Sequence, residues 1–423
     1  MNSSILFVGI DISQDKMDVS SISYVGDKIG KTKLFKNTLQ GACAFSEYLI
    51  DLLKQRQFTG LVIGMEATDL YWWHIYNFLI ENQELKPFLT FDGKQKPQVY
   101  TFNPKLIHHF KKIYNEQPKN DKIDSLMIAQ RLRFGNLPDN NFTDELYDAL
   151  KRLTRYRFHL MNNICREKNY FLTFLFLKFS CFSQESPFSD PFGASAKSTI
   201  TDFFSVDEIA NTPIEKLTEF LIEKGKNRFK NPELIAQELK KLARNSYRLK
   251  PSLKEPVNLI LENTLSTIKA LESQVKVVDK AIDKEIGKLQ EPLTSIKGIG
   301  KVLAAGIMAE IGDVSNFSKE SKLAKYIGLA WKDNQSGNFT GEETKSIRAS
   351  NKYLKYYVVE AANCLRIHNS IFKAYYWKKY HETKLHKHKR ALVLTARKLT
   401  RLLYALLKKN QLYSMQYYDV KDR

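Results

Sequence analysis

Cysteine is scarce in this 423-residue chain: Cys43, Cys165, Cys181 and Cys364 stand far apart and form no C-x-x-C pair. That spacing gives no basis for a zinc site or a disulfide framework and fits a reducing cytosol. Long apolar runs are also missing. The most apolar stretch, Tyr170 to Phe182, is 13 residues and contains Lys178, well short of the roughly 20 residues that span a bilayer; it reads as buried helix, and no membrane partner is expected. The first residues, MNSSILFVGIDIS, lack a basic n-region and a small-residue cleavage site and enter directly on a strand pattern, so mature sequence is expected from the start. Acidic residues are sparse near the end. Between Thr344 and Asn410 only Glu360 and Glu382 are acidic against seventeen Lys and Arg, so this stretch carries +15 of the net +20. Such local excess points to a polyanion partner.

What is present is globular. Hydrophobic residues make up 43% and charged residues 26%, which excludes wholesale disorder, and the length suggests about two or three units. Three parts are expected: 1–140, 141–290 and 291–423. In the first, ILFVGIDIS, MDVSSISYV and KTKLFKNT read as a strand meander, followed by a helix over Gly41 to Lys54 and a short buried strand, Leu61 to Met65. A helix over Asp69 to Asn82, a fifth strand near Lys86 to Phe91 and a helix through NDKIDSLMIAQRL complete the pattern. This order is the layout of an α/β RNase H-like fold.

From about Asp144 to Lys178 and again from Val257 to Leu289 the pattern becomes long amphipathic helix. In the second stretch Leu261, Leu265, Ile268, Leu271, Val275, Val278, Ile282, Ile286 and Leu289 step by threes and fours, a seam of the coiled-coil kind. The two helices are expected to pair as an antiparallel stalk, with a small helical insertion between them. The last part reads as mostly helical. Its SIKGIGKVLAAGIMAEIG places a Gly-Ile-Gly turn, Gly298 to Gly300, before an apolar helix, like a helix-hairpin-helix element. There backbone N–H groups at Gly298 and Gly300, with Lys297 and Lys301 beside them, could approach a phosphate. An ordinary loop is the equal alternative.

Four acids stand where such a fold could use them. Asp11 ends the first strand and Glu66 the later one, while Asp121 and Asp124, three apart on a helix, share a face. Carboxylates in this number suit Mg²⁺ or Mn²⁺, hard cations that take oxygen ligands and stabilise both oxygens of a displacement at phosphorus. Taken singly, each has an ordinary reading: Asp11 as a turn former, Asp121 as a first-turn helix acid, Asp124 as a solvated partner of Lys122. Asp15, Asp18 and Asp69 read as surface or capping acids.

The motifs VGIDISQDKMDV, GMEATDLYWWHIYNFL and NDKIDSLMIAQRL resemble the insertion-sequence transposases of the IS-one-ten type, also called DEDD transposases. A second block, SIKGIGKVLAAGIMAEIGDVSNFSKESKLAKYIGLAWKDNQSG followed by HKHKRALVLTARKLTRLLYALL, resembles the same family. The resemblance covers about residues 5 to 135 and 290 to 410. It implies a RuvC-like N-terminal domain that holds metal through the four acids and a C-terminal transposase domain with a nucleophilic serine. Matching the family's Gln-Ser-Gly segment makes Ser336 that serine, although on the residues alone a Ser-Gly in a polar loop is a turn. It further implies DNA cleavage and rejoining through a covalent intermediate, a structured guide RNA encoded by the element, homo-oligomers (dimer or tetramer) with active sites paired across protomers, and a cytoplasmic, nucleoid-associated setting in a bacterium or archaeon. Asp69 replaces the family's usual small glycine and is expected to cap the following helix; Glu342 and Glu343 stand where relatives are more basic.

In the terminal helices Leu392, Ala396, Leu399, Leu402, Leu403 and Leu406 form a buried stripe, leaving Lys387, Lys389, Arg390, Arg397, Lys398 and Arg401 for DNA phosphates. His381, His386 and His388 read as a solvated polar face. Tyr356, Tyr357, Tyr375, Tyr376 and Trp377 read mostly as core, with base stacking the other use for them. Two readings compete with the transposase: a metal-dependent nuclease such as a junction resolvase, in which the same acids activate water, and a non-catalytic nucleic-acid-binding protein.

Overall fold

The computed structural model describes residues 4–94, 96–113, 121–137, 145–203, 205–331, 335–336, 339–340 and 350–414. It divides into two compact units, Met1–Phe142 and Thr143–Arg423.

In the first unit β1 (Ile5–Ile12), β2 (Lys16–Ile22) and β3 (Lys33–Lys36) are followed by α1 (Leu39–Gln55) and β4 (Gly60–Glu66). Then come α2 (Trp73–Glu81), α3 (Lys86–Leu89), β5 (Val99–Phe102), α4 (Pro104–Lys111) and α5 (Asp121–Arg133). The sheet order is β3-β2-β1-β4-β5. The meander β1-β2-β3 is antiparallel, and β4 and β5 join it in parallel.

Alternation along the strands divides the core in two. Leu6, Val8, Ile10, Met17, Val19, Leu61, Ile63 and Met65 point to one face, where Phe45, Leu49 and Leu53 of α1 and Leu79 of α2 cover them. Phe7, Ile22, Val62, Tyr100 and Phe102 point to the other, under Ile128, Ala129 and Leu132 of α5. Fully enclosed strands of this kind read as continuous apolar runs because both faces are covered.

The fifth strand is not where the sequence suggested. Lys86 to Leu89 form α3, with Pro87 in its first turn, a position where the missing proline N–H costs nothing. The strand is instead Val99–Phe102, paired with Ile63 to Glu66. Asp69 does not cap α2 either. That helix begins at Trp73 with no side-chain cap, and Asp69 sits at φ +47° in the preceding turn, where its carbonyl accepts from Trp72 Nε1 at 3.1 Å. A left-handed residue there is what glycine would supply without strain, and Asp is among the few side chains that tolerate it.

In the second unit α6 (Glu145–Lys178) leads into the small helices α7 (Ser180–Gln184), α8 (Ala194–Asp202), α9 (Val206–Asn211), α10 (Ile214–Gly225) and α11 (Pro232–Asn245). The chain then returns as α12 (Pro251–Ile286). The two long helices are antiparallel: Arg157 meets Asp279 at 2.5 Å and Lys168 meets Glu272 at 3.6 Å. The seam residues Leu261, Ile268, Val275, Val278, Ile282 and Ile286 are all buried. At one end of the pair, α7 to α11 close a separate apolar core around Phe171, Phe179, Phe182, Leu217 and Leu239.

At the other end lie α13 (Lys301–Ile311), α14 (Glu320–Ile327), the two-residue strands β6 (Gln335–Ser336) and β7 (Phe339–Thr340), α15 (Lys352–His368), α16 (Ser370–Glu382) and α17 (Lys387–Lys409). Their core includes Ile307, Leu323, Leu354, Tyr357, Phe372, Leu399 and Leu403 together with Leu150 and Leu160 of α6. Within it Glu310 is buried, its carboxylate held by Arg155 in two bonds of 2.6 and 3.0 Å and by Asn351 Nδ2 at 2.7 Å. Arg suits such a bidentate pair because its planar fork matches the carboxylate.

Candidate active site

The first unit assembles its acids through strand register. Asp11 pairs with Asp18 across β1 and β2, two steps along from the pair Gly9↔Ser20. One residue past the pair Ile10↔Met65 on the parallel strands β1 and β4 stand Asp11 and Glu66. Because side chains alternate with period two, Asp11, Asp18 and Glu66 project from the face that carries Phe7, Ile22 and Val62. That is the face α5 covers.

How α5 lies there is set by a glycine. A Cβ on Gly9 would meet the Ser125 carbonyl oxygen at 2.0 Å and the Ala129 nitrogen at 2.5 Å, so the helix backbone rests directly on β1. Ser125 Oγ and Ser20 Oγ share a buried hydrogen bond of 2.8 Å. At its far end the helix reaches the loop after β2, where Arg133 donates to the Tyr24 carbonyl at 3.4 Å. The first turns of α5, with Asp121 and Asp124, therefore lie toward the end of the sheet where Asp11, Asp18 and Glu66 stand. Asn37 ties the two loops at this end together, donating from Nδ2 to the carbonyls of Ser13 at 2.9 Å and Tyr71 at 3.2 Å.

The individual environments differ. Glu66 is half-buried and accepts from Thr68 Oγ1 at 3.2 Å. Asp124 is ion-paired with Lys111, which closes α4. Asp18, expected at the surface, is only 6% exposed, with Lys16 at 3.2 Å. The side chain of Asp121 lies outside the described residues. Among the described residues no three His, Cys, Asp or Glu side chains stand as a ready-made ion-holding cluster. The structure thus brings Asp11 and Glu66 to one face and one end, adds Asp18, and holds Asp124 on a lysine.

The chemistry of this donor set fits a hard cation. Directly opposed residues on antiparallel strands have Cβ atoms about 4.5–5.5 Å apart, and like charges there repel. Asp11 and Asp18 are such a pair, with Glu66 beside them. Two ammonium groups, on Asp18 and Asp124, already answer that negative field. All the donors are oxygens, the preference of Mg²⁺ and Mn²⁺. Asp18 escaped the sequence reading because it was taken singly; laying the second strand of the hairpin back on the first would have set it opposite Asp11.

In the second unit Ser336 pairs with Phe339 at the turn of the β6-β7 ladder. The side chain of Ser336, and Glu342 and Glu343, lie outside the described residues. The Gly-Ile-Gly turn is present: Gly298 has φ +110°, and Gly300 is the N-cap of α13 with open space around it. The segment before it is a single 3₁₀ turn, Leu293–Ser295, rather than a helix. Lys297 is exposed, while Lys301 is engaged by Asp283 at 2.6 Å.

Farther on, Lys387, Lys389, Arg390 and Arg401 are exposed. Arg397 is drawn to Glu320 at 2.6 Å, and Lys398 lies over the Tyr375 ring at 4.7 Å. Tyr357 and Tyr376 are core, whereas Trp377 is 45% exposed. Of the three histidines, His388 is held by Tyr376 Oη at 2.7 Å. Among the described residues no helix is long and apolar enough to cross a membrane.

Two family models match the chain. Residues 8–179 match the IS110-type DEDD model described as "Transposase", and residues 290–377 match the "Transposase IS116/IS110/IS902 family". The 44.8 kDa protein of insertion element IS116 from Streptomyces clavuligerus is 24% identical over 313 residues, 73% of this chain and 76% of the relative. The 42 kDa protein of insertion element IS900 from Mycobacterium paratuberculosis is 23% identical over 315 residues, again 73% and 76%. The "Transposase for insertion sequence element IS1111A" of Coxiella burnetii is 28% identical over 178 residues, 41% of this chain and 47% of the relative.

Proposed function

Because the chain belongs to the IS110 family of transposases, and is therefore a DNA recombinase, we propose that it cuts and rejoins strands with metal-bound carboxylates and a serine nucleophile. The observation that carries this reading is the alignment of Asp11, Glu66 and Asp18 on one face at one end of the sheet, with the first turns of α5 laid across that face. The strand order and the covering helix support an RNase H-like, RuvC-like catalytic domain over 1–140. Residues 141–290 then form the coiled-coil stalk with its insertion, and 291–423 the C-terminal transposase domain.

In this reading Asp11, Glu66, Asp121 and Asp124 hold Mg²⁺ or Mn²⁺, which when bound polarises the phosphodiester. The chain's own groups do the rest. Lys111 and Lys16 neutralise carboxylates until the cation arrives, and Thr68 fixes one rotamer of Glu66. Ser336 Oγ forms the new bond to phosphorus and loses its proton, while the bond to the departing sugar oxygen breaks and that oxygen takes up a proton. Lys297, the Gly298 and Gly300 amides, Lys301, Lys387, Lys389, Arg390, Arg397, Lys398 and Arg401 contact backbone phosphate, those without a carboxylate partner contributing most. The family resemblance supports a structured guide RNA and a dimer or tetramer with paired active sites.

The test is to trap the protein–DNA adduct on an element-end substrate with its RNA in Mg²⁺. Ser336→Ala should abolish the adduct, and Asp11→Ala and Asp124→Ala should abolish cleavage. Cleavage that persists in Ser336→Ala without any adduct in the parent chain would instead make the protein a nuclease using water. Absence of any cleavage in the parent chain would leave nucleic-acid binding alone.

A further inference from the structure

The hairpin of α16 and α17 presents a feature that phosphate contacts do not use. Lys373, Trp377 and His381 stand four residues apart on α16, so they form one stripe, about 12 Å long at 1.5 Å rise per residue. All three are exposed. The turn between the helices adds Lys384, and the first turn of α17 adds Lys387, Lys389 and Arg390. Glu382 is the one acid between Lys373 and Arg390, and it is occupied by Lys379 at 2.6 Å. Among the described residues, Lys373, Lys378, Lys384, Lys389 and Arg390 have no carboxylate within ion-pair reach.

Trp377 is large, apolar and costly to leave in water, yet it stays 45% exposed in the middle of this cationic surface. It is also packed against other rings. His381 stacks on it at 5.9 Å with the planes 28° apart, and the edges of Tyr376 and Tyr380 meet it at 5.4 and 5.2 Å. Tyr376 is in turn buried, hydrogen-bonded to His388 of α17 and covered by Arg366 at 5.3 Å. The ring is therefore an aromatic platform braced by its neighbours, on a hairpin whose exposed side chains include Lys373, Lys378, Lys384, Lys389 and Arg390.

We infer that this hairpin binds single-stranded DNA, one unpaired base stacking on Trp377 while Lys373, Lys378, Lys384, Lys389 and Arg390 meet the flanking phosphates. A duplex keeps its base faces stacked on each other, so only an unpaired strand offers Trp377 a partner. A DNA recombinase produces such strands when it opens and exchanges ends. The cations give affinity without discrimination; the ring adds preference for the unpaired form. The inference rests on the reading that these cations meet phosphate.

Fluorescence anisotropy of the full-length chain with a 12-nucleotide oligo(dT), an RNA strand of the same length and a 12-base-pair duplex separates the two layers. Trp377→Ala should weaken oligo(dT) binding about 5- to 150-fold, the range one base–aromatic stack is worth, and leave the duplex within twofold. Trp377→Phe should keep most of the oligo(dT) affinity. Lys389→Gln with Arg390→Gln should weaken both DNA probes and lower the salt dependence; no change there overturns the phosphate reading. Unchanged oligo(dT) binding in Trp377→Ala overturns the stacking site. A loss confined to the RNA probe overturns its assignment to DNA.

Discussion

Gly9→Ala tests how the fold sets the site. One methyl would stand 2.0 Å from the Ser125 carbonyl oxygen and 2.5 Å from the Ala129 nitrogen. Ordinary contact needs more than 3 Å, so α5 must lift by about 1 Å. The opposing atoms belong to a helix backbone and cannot turn aside as a side chain would. Overpacking a core costs about 1–3 kcal/mol, and the upper end applies here because the Ser20–Ser125 hydrogen bond stretches with the same movement. In the proposed mechanism, relief by lifting α5 also carries Asp121 and Asp124 away from Asp11 and Glu66. A 1 Å misplacement of reacting groups costs on the order of a hundredfold in rate. The assay pairs thermal unfolding with single-turnover cleavage of an element-end substrate. The expected result is a lowered melting point and cleavage reduced about a hundredfold even well below it. Gly287→Ala is the control, since its backbone is αR and its added methyl would come no nearer than 3.4 Å to any atom. Gly9→Ala with parental melting and cleavage would refute the idea that α5 seats the acids by lying directly on β1.

Lys111→Met should tighten Mn²⁺ binding, read by titration of the metal alone, because the ammonium on Asp124 competes for the same carboxylate; weaker or equal binding counts against Asp124 as a ligand freed in this way. Lys178 is 6% exposed and caps α8, donating to the carbonyls of Ile200 and Phe203. Burial lowers its pKa from 10.5 to about 8. Between those values the unfolded chain holds a proton the folded chain has released, so stability should rise with pH there, by about 2 kcal/mol from pH 8 to 10. Urea midpoints should show Lys178→Met losing that rise, and an identical slope in both chains would contradict the shift. Arg155→Met should cost about 3–5 kcal/mol by stranding buried Glu310, and Glu310→Met added to it should recover most of the loss; additive losses in urea unfolding would mean that the two charges do not act as a pair.

The parts legible in the sequence were those where one periodicity decides the structure. The seam of α12 steps by threes and fours from Leu261 to Ile286, about seven turns, and the strands that carry Asp11 and Glu66 are apolar because both faces are covered. Local chemistry without such a period misled. Lys86 to Phe91 has strand composition, yet Pro87 sits more cheaply in a first helical turn, and the true fifth strand, only four residues long, gains its place from pairing with β4. Asp69 looked like a cap but fills a left-handed turn, a role visible only in the backbone.

Asp18 shows the physical limit most clearly. A single aspartate near a strand start has nothing in its neighbours to mark it, and its burial follows from α5, more than a hundred residues away in the chain. Once β2 folds back on β1, however, the pairing that places Gly9 opposite Ser20 also forces Asp18 against Asp11, because both pairs obey one register. Close seating of α5 and the crowding of carboxylates therefore share a cause. The hairpin register that clears a path for the helix backbone also sets two carboxylates opposite each other where that helix begins, and the proposed cation site rests on that placement.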